Sequence, residues 1–151
     1  MLKLRKNKKG FTLVELIVVI AIMAVLAGTV AGVTVSQLNK QTNKSAQSEV
    51  DGLMGEFKSF ILDYDFGATG ATVDTLKAAI DAFNTEAKKT KGQTTDILVA
   101  TGSPKAGSHQ FKYDVTAGTG TGEFEVVFSC TPKGNGSDIE AKYTYTDALA
   151  G

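Results

Sequence analysis

Hydrolytic, redox or metal chemistry in this 151-residue sequence would draw first on its one histidine, His109, its one cysteine, Cys130, and its carboxylates. The spacing assembles none of these chemistries. His109 is a lone histidine beside a turn, so it reads as a surface or structural residue. Cys130 ends the row Phe124, Val126, Phe128, Cys130, every second position of which is apolar, so it reads as a buried, inert thiol. Asn135, Asp138 and Glu140 lack the loop pattern that gives calcium its six to eight oxygens. Gly118-Thr119-Gly120-Thr121-Gly122 has no lysine to reach a phosphate and precedes a strand, so it is a hairpin linker. No catalytic residue, metal site or cofactor emerges, and the chain reads as non-enzymatic.

Chemistry of another kind concentrates near the N-terminus. Lys3, Arg5, Lys6, Lys8 and Lys9 precede Phe11 with no acid among the first ten residues, and from Leu16 to Asn39 there is no charged side chain. Glu15 stands between them. A carboxylate costs about 2.5 to 3.5 kcal/mol at mid-bilayer, so Glu15 needs either a partner or a place at the membrane interface. Gly10, at the end of the basic stretch, leaves the backbone there with the least side-chain obstruction.

Lys8-Lys9-Gly10-Phe11-Thr12-Leu13-Val14-Glu15-Leu16 resembles the prepilin-type N-terminal methylation motif, or class III signal peptide, of the type IV pilin and pseudopilin family. The likeness is strong over about residues 5 to 35 and architectural beyond. It implies cleavage between Gly10 and Phe11 by a prepilin peptidase, N-methylation of Phe11, and pairing of Glu15 with the Phe11 amine of a neighbouring subunit. It implies assembly of identical subunits into a helical filament by a platform and ATPase machinery. The function expected is that of a structural type IV pilus subunit serving adhesion or motility. Alternatives are a pseudopilin of a type II secretion or DNA-uptake machine, and a minor pilin acting as a surface-binding adhesin. Exposed aromatics on one face would favour the adhesin, but the tyrosines alternate as core.

Charge and length place the elements that carry the junction. The formal net charge of zero hides an asymmetry, because loss of residues 1–10 leaves 11 basic against 16 acidic side chains. So acidic a domain has no general basic surface for nucleic acid. Leu16 to Val35 supplies the roughly 20 helical residues that cross a bilayer core, and the basic leader sets the N-terminus cytoplasmic and the C-terminal domain outside. A secretory signal peptide fits poorly, since its small-residue cleavage site follows the apolar stretch. The expected division is a removable leader at 1–10, a membrane and assembly segment at 11–35, and a soluble domain at 36–151. The precursor is then a single-pass membrane protein, and the assembled product an extracellular filament.

The fold class expected is α+β. Residues 11 to about 64 read as one helix, apolar all round in its first half and amphipathic in its second, with a stripe at Val50, Leu53, Met54, Phe57, Phe60, Ile61 and Tyr64. Gly28 and Gly32 form a small-xxx-small pattern that serves either close helix packing or local softness. Phe66-Gly67-Ala68-Thr69-Gly70 ends the helix. A shorter helix is expected from about Val73 to Lys89, with Thr72 as N-cap and Gly92 as C-terminal signal. Four antiparallel strands follow, near 96–100, 110–116, 123–130 and 139–146, between Gly-rich turns. The single cysteine leaves no disulfide-bounded C-terminal loop. That absence, the Gly- and Thr-rich turns and the extra helix lean towards a Gram-positive source.

Overall fold

A computed structural model of the chain describes residues 10–67 and 70–147, so residues 1–9 of the expected leader, and Ala68 and Thr69 of the expected break, lie outside the described residues. The order is α1 (Leu13–Leu62), α2 (Val73–Lys91), β1 (Leu98–Val99), β2 (Phe111–Ala117), β3 (Glu123–Cys130) and β4 (Ile139–Thr146). The α+β element order is the one the periodicity predicts, and the architecture is the type IV pilin-like one that the resemblance implies. Two compact units divide the chain between Leu38 and Asn39.

In the second unit, the C-terminal half of α1 buries the face that its three- and four-residue spacings predict: Val50, Leu53, Met54, Phe57 and Ile61, extended one turn earlier by Ala46. Phe57 is fully enclosed, edge-on to Phe83 of α2 at 5.5 Å and to Phe128 of β3 at 5.4 Å between ring centroids. One side chain thus joins both helices and the sheet. Phe60 and Tyr64, expected in the same stripe, are only half-buried at its edge.

Thr72 caps α2, its hydroxyl accepting from the Thr75 N–H at 3.1 Å while Thr75 Oγ1 accepts from the Thr72 N–H at 2.7 Å. Gly92, at φ 64°, closes the other end in the left-handed region that glycine enters without a Cβ penalty. Leu76, Ala79, Ile80, Phe83 and Ala87 give α2 its buried face.

The sheet order is β1-β2-β3-β4. β2, β3 and β4 pair antiparallel as expected, and the alternation of Phe111, Tyr113 and Val115 faces the core with Val126, Phe128 and Cys130. The first strand departs from expectation: only Leu98–Val99 pairs, and it runs parallel to β2, so the sheet is mixed. A parallel neighbour needs a crossover, not a tight hairpin. The 100–110 loop provides it, anchored across the end of β3 by Ala106 N–H to Thr131 O at 2.8 Å and Thr131 N–H to Pro104 O at 2.7 Å. A second correction concerns the tyrosines read as core. Tyr113 is buried, but Tyr143 and Tyr145 are half-buried and pack at the margin.

Candidate functional site at the N-terminal junction

Gly10 and Phe11 lie in non-helical backbone ahead of α1, and both are exposed, Phe11 at 89%. Among the described residues nothing lies within 4 Å of where a Cβ on Gly10 would project.

Thr12 and Glu15 start the helix as a capping box. Glu15 Oε2 accepts from the Thr12 N–H at 2.8 Å and from the Thr12 hydroxyl at 2.9 Å, while the Glu15 N–H donates to Thr12 Oγ1 at 3.3 Å. The carboxylate therefore sits at the positive end of the helix and satisfies a backbone N–H that the first turn leaves without a partner. Sequence reasoning treated Glu15 as a charge in search of a partner and missed this local one. The signal was present, as Thr-x-x-Glu before an apolar run. Among the described residues the hydrogen bonds of the carboxylate all fall on Oε2, and Glu15 is exposed. Cutting after Gly10 leaves the Phe11-Thr12 bond and hence the capping box intact.

Beyond the box, the described residues of the first unit are all exposed. Its large apolar side chains from Phe11 to Leu38 are 49–89% exposed. The α1 helix is long and apolar enough to cross a membrane. Gly28 and Gly32 have open space where a Cβ would stand, and Thr29 and Thr34 turn their hydroxyls back to the Leu26 and Val30 carbonyls at 2.9 Å. These bonds satisfy both hydroxyls inside the helix, as an apolar surrounding requires.

The residues weighed for other chemistry do not converge. Cys130 is buried, and burial, then the charges of Asp138 and Glu49, push its thiol above the ordinary range. His109 is exposed, with Nδ1 3.0 Å from the Glu49 carboxylate. Among the described residues no three His, Cys, Asp or Glu side chains group as metal ligands. No member of these sets shares a site with the junction.

Residues 5–31 match the family model of the prokaryotic N-terminal methylation motif. No curated protein and no solved structure matches the chain. The match ends within α1, so the rest of the chain rests on its own architecture. The chain thus carries the prepilin-type N-terminal methylation motif of type IV pilins and pseudopilins, set at the start of an α+β, type IV pilin-like fold.

Proposed function

We propose that the chain is a structural subunit of a type IV pilus. Prepilin peptidase removes residues 1–10 and methylates the new Phe11 amine, and the subunit polymerises with identical copies through its N-terminal helix. The observation that carries this reading is the uncovered apolar surface from Phe11 to Leu38, on the segment that holds the methylation motif. Such a surface is soluble nowhere and needs either lipid or its own kind. The same side chains serve storage in the membrane, with the N-terminus cytoplasmic and the domain outside, and later the core of a filament.

Residues 11–35 act as the membrane and assembly segment, and residues 36–151 as the displayed domain. Within the first, Glu15 Oε1 accepts the charged Phe11 amine of the neighbouring copy. The capping box fixes the direction in which that oxygen points, which gives the pair one favoured axial offset. Gly28 and Gly32 allow close helix approach. The assembly platform and its ATPase act on this segment; adhesion or motility follows from the filament.

Electron microscopy of the producing cells, with antibody raised to this chain, tests the proposal. Long surface filaments labelled along their length are expected. Processed chain with no labelled filament under pilus-producing conditions would assign it instead to a pseudopilus.

A further inference from the structure

Beyond the N-terminal junction and independent of it, the end of α1 and the end of β4 enclose an open cleft with about 350 Å³ of room. Tyr64, Phe66 and Tyr145 wall it, Leu62 flanks it, and Asp65 and Asp147 bring carboxylates to it. The rings are inclined to one another: Tyr64 and Phe66 stand 5.1 Å apart at 66°, Phe66 and Tyr145 5.5 Å apart at 50°. Edge-to-face contacts of this kind fix the rings while leaving other ring surface to the cleft.

The charge of the cleft is one-sided. Among the described residues no basic side chain lines it. Asp65 Oδ1 accepts from the Gly67 N–H and Asp147 Oδ2 from the Ala71 N–H, both at 2.8 Å, so both carboxylates are held in place. Burial, together with the Asp147 charge, pushes the Tyr145 hydroxyl above its ordinary range. The same aromatic cluster already receives one cation from within the chain, the Lys58 ammonium 5.0 Å from the centre of the Tyr143 ring, which in turn packs on Tyr145.

We propose that this cleft binds a quaternary ammonium group. Ring faces attract a cation through their quadrupoles, the carboxylates add Coulombic attraction, and a methylated ammonium gives up little hydration on entering an apolar wall. An anion meets two like charges there. A neutral sugar gains the stacking but not the field, and must displace water from both carboxylates.

The probe is choline, titrated against the full chain in a neutral polyoxyethylene ether detergent and followed by tyrosine fluorescence and by saturation-transfer NMR of the ligand. The chain has no Trp and four Tyr, three of them in this cluster, so emission reports on the cleft. Saturable millimolar binding is expected, with 3,3-dimethyl-1-butanol, the neutral isostere, at least tenfold weaker. Phosphocholine should bind more weakly than choline, because its phosphate adds negative charge beside Asp65 and Asp147; this arm separates a free cation from a phosphate-linked headgroup. Leu62→Lys changes a side chain 77% exposed and brings a positive charge to the cleft. Asp65→Asn keeps the acceptor for Gly67 while removing the charge. Each should weaken choline at least fivefold without altering the circular dichroism spectrum. Equal binding of choline and its isostere, saturable binding of cellobiose unaffected by Leu62→Lys, or no binding of choline would each overturn the proposal.

Discussion

The Asn84 side chain satisfies both backbone polar groups of Leu98: Nδ2 donates to the carbonyl at 2.8 Å, and Oδ1 accepts from the N–H at 2.9 Å. Asn84 is the one buried polar side chain among the described residues, on a helix face otherwise made of Leu76, Ala79, Ile80, Phe83 and Ala87. It takes the place of a further strand at the outer side of β1, while the Phe111 N–H bonds the Ile97 carbonyl at 2.8 Å on the inner side. An otherwise open sheet edge is thereby closed by a helix.

Replacing Asn84 by Leu strands a buried donor and a buried acceptor, each costing about 1 to 3 kcal/mol when left unpaired. Urea unfolding of the full chain in detergent should show a loss of about 2 to 4 kcal/mol. Glu86→Gln, an exposed change on the same helix, should stay within about 0.5 kcal/mol of the parent.

Phe57→Ala removes the ring against which Phe83 and Phe128 both pack. A cost of about 3 to 5 kcal/mol is expected from lost burial and the cavity left behind. Phe57→Leu should recover more than half of it, as measured by the shift in urea midpoint.

Alkaline pH should destabilise the second unit. Burial pushes the thiol of Cys130 and the hydroxyls of Tyr113 and Tyr145 above their ordinary ranges, so the folded chain holds these protons more tightly than the unfolded one. Stability from these groups is full below their unfolded values and is lost as pH rises through that range towards the folded values. The urea midpoint should fall between about pH 8.5 and pH 11, starting with the thiol. Cys130→Ala should remove the earliest part of that fall. Maleimide should leave Cys130 unlabelled at pH 7 until the chain unfolds.

The capping contact of Glu15 and its proposed part in assembly separate by substitution. Gln keeps an oxygen that accepts from the Thr12 N–H but carries no charge, whereas Ala loses both the cap and the charge. Glu15→Gln should therefore keep the helix start yet reduce filament yield by more than tenfold. Thr12→Val, which keeps the charge and the backbone donor, should reduce it less than threefold. Normal filaments from Glu15→Gln would leave capping as the whole role of this carboxylate. Immunoblots of sheared surface fractions measure the yield.

The parts of the fold legible in the sequence are those with a long, undisturbed period. Val50 through Ile61 keeps a helical stripe over three turns, and Phe111 through Val115 alternates strictly, because one face of each must meet the core. Leu98–Val99 is too short to carry a period, and its place depends on Asn84, a polar residue that looks like surface when read along the helix. Tyr143 and Tyr145 continue an apolar alternation beyond Ile139 and Ala141, and the sequence does not mark where the core ends beneath them. At the junction, the Gly10-Phe11 step and the apolar stretch were visible as composition. The Thr12-Glu15 box is written there too, as a Thr three residues before a Glu at the start of an apolar run, although the cost of a carboxylate in lipid points outward to a partner in another chain.

In the proposed function, residues 1–10 are a removable leader and Phe11 is the first residue of the working subunit. Intact-mass spectrometry of the chain recovered from membranes and from surface filaments tests it most directly. A chain whose amino terminus is Phe11 carrying a single methyl group is expected, with amino-terminal fragments placing that methyl on the Phe11 amine. A chain in either fraction that still begins at Met1, from cells producing active prepilin peptidase, would contradict it.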